Sequence, residues 1–206
     1  GVKDLFDTAG VITTGGTGSY RDRVPETDAT AVRLLRDAGA VLLGKTNTHE
    51  LALGGTTNNV HYGATHNPWR LDHVPGGSSG GSGAAVAAGE GLGALGTDTG
   101  GSIRIPAAFC GVTGFKPTYG LVGRGGVLPL SYTLDHVGPI ARTVLDCALM
   151  LNALAGYDDT DHDSVPRPHE DFARDLEGGV RELRLAVMPA LVEAASPGVR
   201  AAFDAA

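Results

Sequence analysis

The sequence predicts an α/β fold, in which helices cover both faces of a central sheet. Segments with strand and helix patterns alternate along the chain, an order typical of a sheet enclosed between helices. Hydrophobic residues make up 42% of the 206 residues and charged residues 19%, so the chain can bury a sizeable core. Its length fits one domain, which we expect to extend over residues 1–206.

The elements of the first half follow from apolar spacing and glycine stops. Residues 27–38 have the spacing of an amphipathic helix, and Gly39 suits its C-terminal cap because glycine adopts the left-handed conformation at little cost. The apolar run 40–43 predicts a strand, and residues 47–53 predict a short helix. Residues 83–88 predict a helix of very small residues that can pack closely on a sheet.

The second half continues the alternation. Residues 93–97 predict a strand, followed by a turn into a short buried helix after Ile103. Thr143 and Asp146 form an N-terminal capping box for a helix over 143–155. The remaining segments predict extended chain at 113–117 and 121–123, a strand at 184–188 and a helix from 197 to 206.

Two glycine clusters carry the serines that are most informative about function. They span residues 75–82 and 98–102 and contain Ser78, Ser79, Ser82 and Ser102. Glycine at such density lets a backbone approach a neighbour closely and turn where a Cβ would clash. A serine in such a turn can attack an acyl group when a base removes its proton. The N–H groups of Gly100 and Gly101 could converge on the oxyanion.

These clusters also resemble those of a known family. TGGS at 99–102 with Arg104 after it, GGSSGGS at 76–82 and Val-Lys-Asp at 2–4 resemble the amidase signature family. The run LSYTLDHVGPIARTV at 130–144 is similar to that of its bacterial members. The resemblance covers most of the chain and implies that the central sheet is mixed and twisted.

The resemblance implies a catalytic triad and a reaction. Ser102 would attack a carboxamide carbonyl, Ser78 on a cis peptide would relay the proton, and an unprotonated Lys3 would receive it. An acyl-enzyme would form, and its hydrolysis would give a carboxylate after ammonia or an amine leaves. A lysine can be a base near neutral pH only if its environment lowers its pKa. The implied oxyanion hole consists of the backbone N–H groups of Thr99, Gly100, Gly101 and Ser102.

Each of these residues also has an ordinary structural interpretation. A lysine three residues from the start of a chain is most often a solvated charge, and Ser78 alone would be a turn or N-cap residue. Arg104 is expected to pin the loop through a buried ion pair. Asp4 need not pair with Lys3, because successive side chains of a strand point to opposite faces. The three triad residues together are far more specific than any one of them.

Other motifs are weaker matches. Residues 39–46 fit the P-loop pattern, but their apolar middle predicts a strand where a phosphate cradle is required, so Lys45 receives no catalytic role. G-x-S-x-G occurs at 76–80 and 77–81, but a hydrolase elbow needs a preceding strand, and residues 67–75 predict a loop. His61 with His66, and the Asp-His-Asp run at 161–163 in a loop interpreted as solvated, form no closed ligand set for a metal.

Charge and cysteine content limit the partners. A net charge of −7 argues against a nucleic acid or anionic membrane as a partner, and no apolar run is long enough to span a bilayer. Cys110 and Cys147 give no disulfide framework, which favours a reducing, cytoplasmic location, and Cys110 is expected to be an inert core thiol. We expect no cofactor and no metal, and a small-molecule amide as substrate. A homodimer is one of the assemblies that the sequence leaves open.

The sequence therefore predicts an amidase that hydrolyses a carboxamide C–N bond. The chain resembles an internal portion of a longer enzyme, because family members begin before the Val-Lys-Asp segment and continue beyond residue 206. Two alternatives stay open at this point. One is the glutaminase subunit of a tRNA-dependent amidotransferase, and the other is a non-catalytic scaffold with the same fold.

Overall fold

A five-stranded sheet forms the centre of residues 1–174. The computed structural model describes residues 1–181 and 183–206, which divide into two units, residues 1–174 and residues 175–206. The sheet strands of the first unit are β1 (Val2–Lys3), β2 (Lys45–Thr46), β5 (Gly93–Asp98), β6 (Thr113–Gly114) and β7 (His136–Ala141), in the order β2-β1-β5-β7-β6. A separate antiparallel pair consists of β3 (Asn58–Asn59) and β4 (Gly63–Ala64).

The sheet is mixed, as the sequence analysis predicted. β1 runs parallel to both β2 and β5, with Val2 opposite Lys45 and Leu95. β7 runs antiparallel to β5 over six residue pairs and antiparallel to β6. Because β1, β2 and β5 point the same way, their carboxyl ends meet at one edge of the sheet, where ligands commonly bind in such folds.

Helices cover both faces of this sheet. They are α1 (Thr30–Asp37), α2 (Gly80–Ala87), α3 (Arg104–Cys110) and α4 (Val144–Leu154). One apolar cluster joins Leu95 to residues of α1 and α4, and a second joins Ala94 to Val86 of α2 and to Ile103 before α3. Ala94 and Leu95 are consecutive on β5 and so point to opposite faces. The predicted α/β arrangement is therefore confirmed.

Glycine allows α2 to pack unusually close to its neighbours. A Cβ on Gly81 would lie 2.4 Å from the carbonyl oxygen of Asn47, and one on Gly83 would lie 3.1 Å from the Cβ of Pro106. The helix begins at Gly80, three residues before the predicted start, and so includes Ser82. The small residues thus bring the first serine cluster against the sheet.

Several predicted elements are confirmed with shifted bounds. The strand at 93–97 is β5, the helices at 27–38 and 143–155 are α1 and α4, and the short helix after Ile103 is α3. The α4 cap is also confirmed, because the Thr143 hydroxyl accepts the N–H of Asp146 at 3.0 Å. The extended segment at 113–117 contains only the two residues of β6.

Two predictions for the first unit are wrong. Residues 40–43 form no strand, since Val41 and Leu43 are 82% and 67% exposed and the sheet pairs Lys45 and Thr46 instead. Residues 47–53 contain only a 3₁₀ turn, Glu50–Ala52, instead of a helix. Residues 121–123, predicted to be extended, form one antiparallel bridge, from Val122 to Ala155. The sequence pattern also predicted no strand for β7, whose Gly138 and Pro139 interrupt the apolar run.

The second unit is helical where it has regular structure. It contains a 3₁₀ turn, Leu176–Gly178, and two helices, α5 (Pro189–Glu193) and α6 (Pro197–Ala205). The terminal helix is thus confirmed, whereas the strand predicted at 184–188 is wrong. A single domain over residues 1–206 stays a prediction. In the described parts of both units, no helix has the length and apolar character needed to cross a membrane.

Leu95 provides a test of this core. It is fully buried on the central strand, whereas Leu92, just before the same strand, is 79% exposed. We expect Leu95→Ala to lower the free energy of unfolding by about 2–5 kcal/mol, because the cavity it leaves can only partly collapse. Leu92→Ala is the matched control and should change it by less than about 0.5 kcal/mol. Urea denaturation of both variants measures this, and equal losses would contradict the described strand.

Candidate active site

Lys3 lies buried at the carboxyl end of β1. Its Nζ donates a 2.7 Å hydrogen bond to the Ser78 hydroxyl and a 2.8 Å hydrogen bond to the Thr97 hydroxyl. The side chain is completely inaccessible to solvent, so the interpretation of Lys3 as a solvated terminal charge is wrong. Both partners are neutral hydroxyls, which offer the amine hydrogen bonds without a compensating negative charge.

The surroundings of Lys3 favour its neutral form. Burial lowers the pKa of the Lys3 amine to about 7, against a smaller raising effect from the carboxylates of Asp135 and Asp98. Removing a charge from water costs free energy unless an opposite charge repays it, so the amine releases its proton more readily than a solvated lysine. An amine with this pKa is available as a base near neutral pH.

Asp4, which lies just after β1, does not pair with Lys3, as the sequence analysis predicted. Its carboxylate lies 3.5 Å from the Nζ of Lys45 instead. Lys45 also donates hydrogen bonds to the hydroxyls of Thr8 and Thr13, at 3.1 and 3.0 Å. The Lys45 ammonium therefore links several residues of the 4–13 segment. A P-loop lysine would contact phosphate instead, so these contacts agree with rejecting the P-loop.

Ser78 occupies the centre of the first serine cluster. The Gly77–Ser78 peptide bond is cis, as the family resemblance implied, and the Ser78 side chain is fully buried against Lys3. The Ser78 carbonyl oxygen accepts the His49 N–H at 3.1 Å. The 47–53 segment therefore contacts the backbone at Ser78, and no strand directly precedes this serine. A hydrolase elbow requires such a strand, so the elbow interpretation is not supported.

The two neighbouring serines bind the sheet. Ser79 accepts the N–H of Thr97 at 3.3 Å and donates to its carbonyl oxygen at 3.2 Å. Ser82 donates to the carbonyl oxygen of Leu95 at 2.9 Å. Both hydroxyls are engaged with β5 and buried. They attach α2 and its preceding loop to the strand that leads to the second serine cluster.

Ser102 lies in the turn after β5, close to Ser78 along the backbone. Its carbonyl oxygen accepts the N–H of Ser79 at 3.2 Å, and its side chain is partly exposed. In residues 1–181 and 183–206, the Ser102 hydroxyl makes no hydrogen bond. The structure thus brings Lys3 and Ser78 together through a hydrogen bond and holds Ser102 nearby through its main chain.

Asp98 organises the turn that carries Ser102. Its buried carboxylate accepts the N–H groups of Gly101 at 2.8 Å and Ile103 at 3.0 Å. It also accepts two hydrogen bonds from the guanidinium of Arg104, at 2.8 and 3.0 Å. Arg104 therefore pins the loop as predicted, but its side chain is 53% exposed, so only the aspartate side of the pair is buried.

This arrangement changes the predicted set of oxyanion donors. The Gly101 N–H is directed at the Asp98 carboxylate, which uses it to close the turn. By contrast, the backbone N–H groups of Thr99, Gly100 and Ser102 have no acceptor among the described residues. Of the four groups that the resemblance implied, these three are available to a ligand.

A cavity of about 420 Å³ lies near the end of β5, and Lys3, Ser78 and Ser102 are not among its lining residues. Thr97, the hydrogen-bond partner of Lys3, lines it together with Asp135 and His136. Much of the remaining wall is apolar and includes Leu5, Val127, Leu128 and Leu130. Its position at the carboxyl ends of β1 and β5 matches the edge at which such folds bind ligands.

The acidic loop at 157–168 contributes to the cavity wall and is not simply solvated, contrary to the sequence interpretation. Asp161 is buried and accepts two hydrogen bonds from the Arg124 guanidinium, at 2.6 and 2.8 Å. Arg124 also bonds Asp163 at 2.6 Å, and Asp158, buried as well, accepts the Gly125 N–H at 3.0 Å. Within the described ranges, no three His, Cys, Asp or Glu side chains are grouped so that they could hold a metal ion.

The two cysteines bond only backbone carbonyl oxygens among the described residues. Cys110 and Cys147 are both free and buried. Burial raises the pKa of each thiol to about 11, so little thiolate forms near neutral pH. Because the thiolate is the nucleophilic form, the structure agrees with the interpretation of Cys110 as an inert core thiol.

Comparison with known proteins identifies the family. The amidase family model matches residues 1–206. The chain belongs to the amidase family. Another family member, a glutamyl-tRNA(Gln) amidotransferase subunit from Roseiflexus sp. strain RS-1, is 53% identical over 187 residues. That alignment covers 91% of this chain but only 38% of the relative, so the chain spans well under half of the length of the relative.

Solved structures support the same family. The native peptide amidase of Stenotrophomonas maltophilia superposes with a TM-score of 0.78 at 44% identity, covering 84% of this chain and 37% of the other. A chain from a vestigial protein complex, described in relation to the origins of an s-triazine catabolic enzyme, gives a TM-score of 0.96 at 45% identity. It covers 99% of this chain and 45% of the other.

Some site residues of this amidase-family chain were not predicted from the sequence. Thr97, Asp98 and Asp135 all lie within predicted elements or motifs, but no spacing rule indicates that Thr97 bonds Lys3 or that the two aspartates affect its pKa. Arg124 stood outside every motif. Asp98 immediately precedes the TGGS motif, and this adjacency was the one available signal, because an aspartate before a glycine turn can accept its N–H groups.

Asp98 also makes the free energy of unfolding depend on pH. Despite the opposing effect of burial, hydrogen bonds from Arg104 and the turn lower the pKa of Asp98 to about 2, from an ordinary value of 3.8. A lowered carboxyl pKa stabilises the folded state above the unfolded pKa, and this contribution disappears as pH falls from about 4 to about 2. We expect the wild type to lose about 2 kcal/mol from this group across that window.

The test is chemical denaturation at several pH values between 5 and 2. Asp98→Asn should be less stable at pH 5 and should show a shallower decline. Asp37→Asn is the control, since Asp37 is exposed and its ion pair is with exposed Arg33, and it should keep the wild-type slope. A decline in Asp98→Asn as steep as in the wild type would contradict this account.

Proposed function

We propose that this chain forms the catalytic core of an amide hydrolase, in which Ser102 is the nucleophile, Ser78 the proton relay and Lys3 the base. The observation that carries the proposal is the buried 2.7 Å hydrogen bond between Lys3 Nζ and the Ser78 hydroxyl. A lysine buried among hydroxyls, with a pKa of about 7, is the kind of group that can activate a serine near neutral pH.

The proton route follows from the contacts. A neutral Lys3 can donate an N–H to the Thr97 hydroxyl and direct its lone pair at the Ser78 hydroxyl. As Ser102 attacks the carbonyl, its proton passes to the Ser78 oxygen while the Ser78 proton passes to Lys3. The same route in reverse protonates the leaving nitrogen, so ammonia or an amine departs and an acyl-enzyme remains. Water attacks that ester by the same relay and releases the carboxylate.

The turn after β5 supports stabilisation of the tetrahedral intermediate. We assign the oxyanion hole to the N–H groups of Thr99, Gly100 and Ser102, and leave out Gly101 because its N–H is bonded to Asp98. Removing one such donor typically costs about 100- to 1000-fold in rate. The adjoining cavity of about 420 Å³ is of a size for a small-molecule amide substrate.

A second function is favoured by similar relatives. Several proteins named as subunits of glutamyl-tRNA(Gln) amidotransferase are about 50% identical to the chain. In that case the same residues would release ammonia from glutamine for a partner protein. A non-catalytic scaffold stays a third alternative.

The buried free thiols support our proposal of a reducing, cytoplasmic location. A homodimer is the assembly we propose for the hydrolase.

Labelling with a fluorophosphonate probe tests the triad. We expect an adduct on Ser102, located by peptide mapping, that is absent in Lys3→Ala because the serine loses its base. Lys116→Ala is the matched control, since Lys116 bonds the carbonyl oxygen of its neighbour Pro117 and should leave labelling intact. The labelling rate should rise with pH through about 7, as Lys3 loses its proton.

Three outcomes would contradict the triad. An adduct on Ser79 would favour the elbow mechanism that the fold does not support. A labelling rate that is flat from acid to alkaline pH would exclude Lys3 as the base. No adduct on a folded sample, verified by circular dichroism, would favour the scaffold.

Ammonia release separates the hydrolase from the glutaminase. For a hydrolase, we expect the purified chain to release ammonia from simple carboxamides at least as readily as from glutamine, without any partner. A glutaminase subunit should act mainly on glutamine and should co-purify with other subunits from its native source. Colorimetric ammonia detection and affinity purification measure these two properties. Strict dependence on glutamine together with stable subunits would overturn the hydrolase proposal.

A further inference from the structure

Asp135 joins two segments of the site that are far apart in sequence. One of its carboxylate oxygens accepts the Thr99 hydroxyl at 2.5 Å. The other accepts the backbone N–H groups of Leu130 and Ser131, at 2.8 and 2.9 Å. Thr99 begins the turn that carries Ser102, and Leu130 belongs to the cavity wall. Each oxygen therefore holds one segment.

The held loop, residues 129–134, is fixed by hydrogen bonds from its own turn and from side chains on either side of it. It contains no helix or strand, and its own turn is closed by the N–H groups of Leu134 and Asp135 on the Ser131 carbonyl oxygen. On the other side, the carbonyl oxygen of Tyr132 accepts hydrogen bonds from Arg124 and Tyr119, both at 2.7 Å. Among these contacts, those of Asp135 connect the wall directly to the turn that carries Ser102.

Asp135 also shares the cavity with the partner of the base. Asp135 and Thr97 line the same cavity, and Thr97 accepts the hydrogen bond from Lys3. Four groups act on the Lys3 amine, namely the hydroxyls of Ser78 and Thr97 and the carboxylates of Asp98 and Asp135. Asp98 is already neutralised by the Arg104 guanidinium. Asp135 is bonded only to neutral donors in the described parts of the chain.

We propose that Asp135 is a positioning residue of this site, which locks the substrate-lining loop to the turn bearing Ser102 and stabilises the protonated Lys3 formed at each proton transfer. The proposal rests on the amide hydrolase function inferred above. An asparagine at this position keeps the size of the side chain. It loses the negative charge and one of the two acceptor oxygens, so one of the two segments is released.

The effect of the Asp135 charge on the pKa of Lys3 can be measured without any substrate. The chain contains three lysines, Lys3, Lys45 and Lys116, so ¹³Cε-lysine labelling gives three signals that can be assigned by substitution. We expect the NMR titration of Lys3 to shift to a lower pKa in Asp135→Asn, by about 1 unit, the lower end of the effect of a nearby opposite charge. Asp37→Asn removes an exposed carboxylate and should leave the Lys3 titration unchanged.

The positioning effect is measured with the fluorophosphonate probe at about pH 9, where Lys3 is deprotonated in both proteins. Labelling of Ser102 should slow about 10- to 100-fold in Asp135→Asn, because misplacement of the turn is costly. Thr99→Val breaks only the link to the turn and should lose a comparable factor, and Thr99→Ser should recover most of it. The Thr99 variants also keep the proposal testable should Asp135→Asn fail to fold.

The outcomes separate this proposal from the function on which it rests. An unchanged Lys3 titration together with a wild-type labelling rate in Asp135→Asn would overturn the role of Asp135 and leave the triad intact. Equal labelling of Thr99→Val and Thr99→Ser would exclude the hydroxyl link. Absence of labelling in the wild type would instead overturn the hydrolase function, and the NMR comparison would still decide whether Asp135 acts on Lys3.

Discussion

The site depends on the burial of one lysine amine among neutral partners. A charged ammonium at Lys3 would lose its hydration without gaining an ion pair, whereas a neutral amine keeps its hydrogen bonds to Ser78 and Thr97. The neutral form is the one that can accept a proton. The free-energy cost of burying the charge is therefore what makes Lys3 a base. The rest of the site keeps the amine buried and hydrogen-bonded to neutral hydroxyls.

Two of the carboxylates near Lys3, those of Asp4 and Asp98, are each paired with another cation. Asp4 lies beside Lys45, and Asp98 is bonded to Arg104 and to the N–H groups of its own turn. Each aspartate is thus occupied by a partner other than the Lys3 amine. Asp98 in addition fixes the turn that carries Ser102, so one ion pair serves both the electrostatics and the geometry.

Close backbone packing explains why the site is so rich in glycine. Ser78 must reach Lys3 while its neighbours Ser79 and Ser82 bond to β5, which leaves little space between α2, the sheet and the 47–53 segment. A Cβ on Gly77 would lie 2.8 Å from backbone atoms of Gly55 and Thr56. Glycine at these positions is a packing requirement that brings the two serine clusters to one edge of the sheet.

The amino-acid sequence by itself determined the α/β class, the helices with clear caps or apolar spacing, and the three residues of the proposed triad. Those features are local, or they lie in motifs whose spacing resembles a family. Only the tertiary structure decided that Lys3 is buried, that Gly101 is bonded to Asp98, and that the acidic loop closes onto Arg124. It also revealed β7, whose glycine and proline hide a strand that long-range pairing with β5 stabilises. These facts depend on contacts between residues far apart in the chain, which periodicity and propensity do not encode.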